Sequence, residues 1–463
     1  MKAIGIDIGT TTICAVLLDA DTGMLLVSEA LPNTSTLSSA YAWEKQQDPG
    51  IILTICNTLL NSFLENNDDI TSIGVTGQMH GIVYVNVNGA SVSPLYTWQD
   101  GRGNLEYKDS TSYSEYLTKK TEIRMATGFG LTTHFYNLIN HMVPEDASTF
   151  CTISDFIAMS LSNEPRPLLH QSMAASLGLY DLQNQCFDAA ALKEAGIQKD
   201  FLPAIASTER IIGTTKVGIP VSIALGDNQA SFLGSVNAGS SILVNVGTGS
   251  QISFCSNKLS TSPHLEYRPY INNSYLIVGS PLCGGYSYSL LKNFFEEILQ
   301  MFDTTSDSSV YEVMNEAAYD IYNTADKLTI DTRLNGTRAD SSFTGSVKNL
   351  TANTFHPAHL VLGVLQGICN ELYDFSKEYP EELKQSGTLV GSGNGIRMNP
   401  LLQKIFCDTF HMTLKIPLYS EEAAYGSALF SLYTIQYYKT LAEIQNLITY
   451  QSKGIEDVTN GSY

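Results

Sequence analysis

"MKAIGIDIGTTTICAVLLDA", residues 1–20, reads as an apolar strand, a turn and a second apolar strand. The turn region, Asp7-Ile8-Gly9-Thr10-Thr11-Thr12, interrupts the apolar pattern with a carboxylate, a glycine and three hydroxyls. Alone, that is a hairpin tip. Half a chain length later, "SSILVNVGTGSQISFCSN", residues 240–257, repeats the arrangement. Asn245-Val246-Gly247-Thr248 and Ser250 then stand against Asp7-Ile8-Gly9-Thr10 and Thr12. Two such units, each opening a half-chain of similar size, predict a duplicated α/β fold whose domains face each other across a cleft.

The bounds agree. A chain of 463 residues exceeds one ordinary core, and 43% apolar content is that of a folded protein. A net charge of −20 argues against nucleic-acid and anionic membrane surfaces, which need clustered Lys and Arg. The eight cysteines include no CxxC pair and several lie in apolar runs, so buried free thiols in a reducing compartment are expected. No apolar run reaches a membrane span, and Asp7 falls where a signal peptide needs its hydrophobic region. A cytoplasmic protein is expected.

Strands are expected at 2–8, 12–19 and 24–30, then a helix at 49–65 and a buried strand at 72–75. Helices at about 104–125 and 133–142 follow, and the first half closes on a strand at 221–227. The second half predicts helices at 286–302, 308–322, 356–378 and 421–438, then a frayed polar tail.

Neither a Gly-Lys P-loop, a G-x-G-x-x-G fingerprint nor a G-x-S-x-G elbow is present. His356 and His359 read as a helix-start pair. The two Gly-Thr turns suit phosphate, because backbone N–H groups and hydroxyls hold an anion without lysine. Asp7 beside the first could hold Mg²⁺ directly or through water. Asp227, in "ALGDNQAS" (224–231), is either the N-cap of a helix beginning at Asn228 or a general base at a strand end. Gln78, Met79 and His80 lie between two glycines, and Trp98, Gln99, Asp100 and Arg102 crowd one loop. An indole with amides, a carboxylate and a guanidinium suits a polyol. "VGSGNGIRMNP" (390–400) could cradle a nucleoside.

In their order along the chain, "IDIGTT", its repeat, "GQMHG", "WQDGR", "GDNQAS" and "GSGNG" resemble the FGGY carbohydrate kinases over about residues 1–432. "TWQDGR", "ATGFG" (126–130), "PRPL" (165–168) and "AAS" (174–176) look like the branch that acts on sedoheptulose, whereas "GTGS" at 247–250 follows the wider family. The resemblance implies two ribonuclease-H-like domains of the actin-like ATPase superfamily around a central cleft. The expected boundaries are 1–234, holding the sugar and the catalytic Asp, and 235–440, holding ATP, with a tail at 441–463.

The resemblance makes Asp227 the catalytic base and Asp7 the Mg²⁺ ligand. It puts Gln78, Met79, His80, Trp98, Asp100, Arg102 and Asn228 on the sugar. Thr10, Thr11, Thr12, Gly247, Thr248, Gly391, Ser392, Gly393, Asn394 and Asn399 fall on ATP. The expected reaction is ATP-dependent phosphorylation of a ketose at its terminal primary hydroxyl, sedoheptulose first and xylulose or another pentulose or polyol second. A non-catalytic, chaperone-like ATPase of the same superfamily is the alternative from another class. Sugar and ATP are the expected partners, with no nucleic acid or membrane, for a monomer or homodimer.

Overall fold

The computed structural model describes residues 1–463 except 238–240, 261, 263, 307, 338–339, 341, 380–386 and 453–463. The alternating N-terminal pattern forms an antiparallel meander, β1 (Lys2–Ile8), β2 (Thr12–Asp19) and β3 (Leu25–Pro32). The helix Pro49–Leu64 comes next. Its start is fixed by Asp48, whose carboxylate accepts from the N–H groups of Gly50 and Ile51, and by Pro49 in the first turn. β4 (Ile70–Gly77) then pairs parallel with β1. β5 (Ile211–Thr214), β6 (Pro220–Ser222) and β7 (Leu225–Gly226) complete a seven-stranded sheet, ordered β5-β6-β4-β1-β2-β3 with β7 also on β4.

The second half repeats this plan. β8 (Ser241–Val246), β9 (Ser250–Ser256), β10 (Glu266–Pro269), β11 (Tyr275–Gly279), β12 (Thr388–Ser392) and β13 (Leu414–Lys415) form a sheet ordered β10-β11-β9-β8-β12-β13. The antiparallel run β8-β9-β11 matches β1-β2-β3, and β12, parallel to β8, matches β4. β10 has no counterpart in the first sheet and forms its partner's antiparallel edge.

Two helices lock the halves together. Asp227–Ser235 leaves β7 and sets Phe232 edge-on to Tyr270 of the second half. Glu422–Thr434, from the second half, lies across β1 and β4 and against the first helix. Glycine makes these approaches possible. A Cβ on Gly5, Gly74 or Gly426 would lie 1.9 Å from the carbonyl oxygen of Ala424, Ser427 or Ala230 respectively. The resulting core joins Ala3, Val16 and Leu18 to Leu243, Leu276, Val278 and Val390. Each fully buried Val or Leu contributes about 1.5–3 kcal/mol relative to exposure.

Three expectations need correction. The helix expected at 104–125 covers only Tyr113–Thr121; ahead of it, Asp109 and Ser110 turn a short hairpin with positive φ. The strand expected at 221–227 is split between β6 and β7. The tail is not frayed through 452: Leu441–Gln445 is helical with a Thr440–Glu443 capping box, and Ile444 and Ile448 are buried. Residues 453–463 of that tail lie outside the described residues. All eight cysteines are free, five of them buried, with Cys186 exposed. Among the described residues no helix is long and apolar enough to cross a membrane.

Candidate active site

Gly77 and Gly226 pair where β4 and β7 end, so the segments that follow them, Gln78–His80 and Asp227–Asn228, emerge side by side. Gly226 is the N-cap of its helix and Asp227 the first helical residue. The N-cap reading of Asp227 therefore fails. Its Oδ1 accepts from the backbone N–H and from Nδ2 of Asn228, both at 2.6 Å. Among the described residues nothing donates to Oδ2. A carboxylate at a helix N-terminus also meets the favourable end of the helix dipole. Asn228 completes the group by accepting from Arg268 Nη1 at 2.6 Å.

Met79 packs beneath Gly226, where a Cβ would meet its sulfur at 2.9 Å. Gln78 is buried; its Nε2 donates to Gln47 Oε1 at 2.9 Å, and among the described residues its Oε1 has no partner. His80 adopts a positive φ of 72°. Its Nδ1 lies 2.7 Å from the Ser176 carbonyl, which only accepts, so Nδ1 carries the proton and Nε2 is left as an acceptor. Burial pushes the His80 pKa down and keeps the ring neutral. The ring stacks on Phe129 at 4.9 Å. Thus "GQMHG", "ATGFG" and "AAS", distant in sequence, converge on one imidazole.

Trp98 is 45% exposed, and its indole N–H donates to Thr10 Oγ1 at 3.1 Å. Gly128, at φ +79°, lets the "ATGFG" loop pass under it, since a Cβ there would lie 1.9 Å from the Trp98 carbonyl oxygen. Asp100 and Arg102 do not share that exposure. Both are fully buried and bound to each other, Nε to Oδ1 at 2.6 Å and Nη2 to Oδ2 at 3.2 Å. Arg102 also donates to Asn137 and lies 4.2 Å from the Tyr96 ring centre. These two sit beneath the Trp98 loop and fix it from below.

Asp7 is the penultimate residue of β1, half-buried. Its carboxyl is pushed up to about 7, first by loss of solvent, then by the Asp227 and Glu421 carboxylates. Glu421 precedes the helix Glu422–Thr434 of the second half, and no sequence motif marked it. Three oxygen-bearing groups that repel one another suit a hard divalent cation. Among the described residues no three His, Cys, Asp or Glu side chains stand at ligand distance. Around the first turn, Asn33 donates to the Gly9 carbonyl and Gln47 to the Thr10 carbonyl. Thr11 and Thr12 are exposed.

In the second turn, Cβ positions on Gly247 and Gly249 would meet open space. Thr248 accepts from the N–H of Tyr286 at 2.8 Å. Gly284 and Gly285 press against the turn, and a Cβ on Gly285 would lie 2.1 Å from the Gly247 oxygen. The seventeen-residue helix Gly285–Met301 therefore points its N-terminus at this turn, an arrangement that favours anions. The diglycine ahead of an uncapped helix was the missed signal. Ser392 accepts from Asn245, and Gly393 has φ +80°, with the Val246 oxygen 2.6 Å from where a Cβ would stand. Asn394 starts a short helix there. Gly391 faces Ile396 and Ile416, and Asn399 caps the helix Pro400–Phe410 while donating to Asn315. Gly391 thus packs on the core and Asn399 caps a helix.

A cavity of about 540 Å³ lies beside this region, lined by Arg124 of the first half and by Glu266, Asp331 and Arg333 of the second. None of the residues singled out in the sequence lines it.

The architecture and these clusters fit a two-domain sugar kinase. Residues 2–234 match the N-terminal domain, and residues 235–435 the C-terminal domain, of the FGGY family of carbohydrate kinases. The chain belongs to that family, and is an ATP-dependent sugar kinase. It is 29% identical to sedoheptulokinase of Mus musculus over 93% of this chain and 97% of that protein. The sedoheptulokinase of Homo sapiens is 28% identical with the same coverage, and a Vibrio vulnificus glycerol kinase 22% identical over 96% and 90%. The fold matches gluconate kinase from Lactobacillus acidophilus (TM-score 0.82, 18% identity, 97% of this chain and 92% of that one). It also matches xylulose kinase from Rhodospirillum rubrum (TM-score 0.83, 18% identity, 98% and 93%).

Proposed function

We propose that this kinase phosphorylates sedoheptulose at its terminal primary hydroxyl, O7. The carrying observation is Asp227, with one oxygen held by two Asn228 donors and the other free to take a proton. The relatives named as sedoheptulokinases, matched over 97% of their length, support the seven-carbon substrate. Trp98 offers an exposed apolar face, and neutral His80 an Nε2 acceptor for a sugar hydroxyl.

Asp227 Oδ2 takes the hydroxyl proton as that oxygen bonds to the γ-phosphorus, the bond to the β-phosphate oxygen breaks, and ADP leaves. Transfer depends mainly on positioning and electrostatics. Asp100 and Arg102 act by holding the Trp98 loop. Thr10, Thr11, Thr12, Gly247, Thr248, Ser392, Gly393 and Asn394 form the nucleotide side. Asp7, with Glu421 near it, would hold a water-clad Mg²⁺, which offsets phosphate charge when bound. We assign sugar and base to residues 1–234 and nucleotide to 235–440, in a cytoplasmic enzyme acting as a monomer or homodimer.

The test is ADP release over a panel of sedoheptulose, xylulose, ribulose and glycerol. Sedoheptulose should give the highest kcat/KM, and a large preference for a pentulose overturns the substrate. Asp227→Ala should lose about 10²–10⁴-fold in kcat. Near-normal turnover removes Asp227 as the base, and ATP hydrolysis indifferent to sugar would favour the chaperone-like ATPase.

A further inference from the structure

β10 is the one strand of the second sheet without a partner in the first, and it carries Glu266 and Arg268 two residues apart, on one face. Glu266 Oε2 accepts from Arg268 Nη2 at 2.5 Å and Nε at 3.2 Å. That double contact fixes the plane of the guanidinium, and hence the direction of Nη1. Nη1 donates to Asn228 Oδ1, and the other end of the same amide donates to Asp227 Oδ1. The chain of contacts therefore runs from the edge strand of the second half to the carboxylate of the first.

We infer that Arg268 is a positioning residue for Asp227: held by Glu266, it fixes the Asn228 amide so that Oδ2 of the base faces the acceptor hydroxyl. An amide accepting at one end and donating at the other has one useful orientation. Without the arginine it can turn over, and Asp227 loses a donor and rotates. Because β10 belongs to the second half, the base is aligned only when the two halves stand in this relation. A sugar alone does not complete the site. The device thereby ties proton removal to the packing of the Asp227 helix against the second half.

The inference rests on Asp227 being the base, and the experiment separates the two. Arg268→Ala should lower kcat about 10- to 100-fold, the effect of a small misplacement, with the KM values for ketose and ATP retained. Arg268→Lys, which keeps one donor, should recover part of the loss, and Glu266→Gln should show a smaller one. Asn228→Ala should lose as much as Arg268→Ala, and the double variant no more than either. Wild-type kcat in Arg268→Ala beside an inactive Asp227→Ala overturns the relay alone. A raised ketose KM at unchanged kcat makes Arg268 a sugar contact and overturns it too, as do additive losses in the double variant. An active Asp227→Ala overturns the reading beneath it. Should Arg268→Ala fail to fold, Arg268→Lys and Glu266→Gln carry the same test.

Discussion

The two glycine turns hold the same place in matching sheets, yet their surroundings have diverged. The first is tied down by side chains: Asn33 on Gly9, Gln47 and Trp98 on Thr10. The second has almost no such ties, and is backed by a diglycine and the end of a long helix. At the shared position before each turn stands Asp7 in one and Asn245 in the other. Asp7 meets two further carboxylates, whereas Asn245 donates to Ser392. The two halves thus carry two equivalent tips. One was then wired to the sugar side through Trp98 and Gln78, and the other left as bare backbone for an anion.

The comparison breaks most sharply at Gly285. Its Cβ would lie 2.1 Å from the Gly247 oxygen, so Gly285→Ala must push the second turn away from the helix end. We expect kcat/KM for ATP to fall about 10²-fold with the ketose KM little changed. Steady-state kinetics in both substrates, beside a melting curve, checks this. Equal loss for both substrates would mean that the second turn is not specific to nucleotide.

Asp7→Asn gives the first turn the side chain of the second. Mg²⁺ should then be needed at about 10- to 100-fold higher concentration for half-maximal activity. The pH dependence has a definite sign. Asp7 titrates near 7 when folded against an ordinary value of 3.8, so the folded state binds the extra proton between these values. Without Mg²⁺, wild-type stability therefore falls as pH rises from about 4 to 7 through this group. The asparagine variant should lack that share of the slope in Tm against pH. An unchanged slope would mean that Asp7 is not held away from its ordinary value by burial and its carboxylate neighbours.

What was legible followed from local pattern. Alternating apolar residues around "DIGTT" and "NVGTG" place both hairpins, and the repeat predicts the paired sheets. The missing parts arise where distant segments meet. Arg268 reaches Asn228 over 40 residues and Glu421 lies near Asp7 across almost the whole chain, with no spacing that marks either pair. Elsewhere a signal was present but outweighed. Ser112-x-x-Glu115 is a capping box that marks where the 104–125 helix begins, and Thr440-x-x-Glu443 marks order in the tail. Asp100 and Arg102 were legible as residues that matter but not as buried ones, since a loop sequence does not show which side chains point inward.

The smallest expected effect tests the wiring of the first turn itself. Thr10→Val keeps the shape of the side chain but removes the oxygen that accepts from the Trp98 indole. A hydrogen bond of this kind nets about 1 kcal/mol, roughly fivefold in an equilibrium. Trp98 is half exposed, so the freed indole N–H can turn to water and the loss should not exceed that. Because the bond joins a phosphate-side threonine to a sugar-side ring, weakening it should raise the KM for ketose and the KM for ATP together, each by a few-fold. Thr248→Val in the second turn, where only the backbone is used by Tyr286, should leave the ketose KM alone. If Thr10→Val changes the ATP KM only, the first turn is a phosphate tip like the second, and the contrast between them lies in Asp7 and not in the indole.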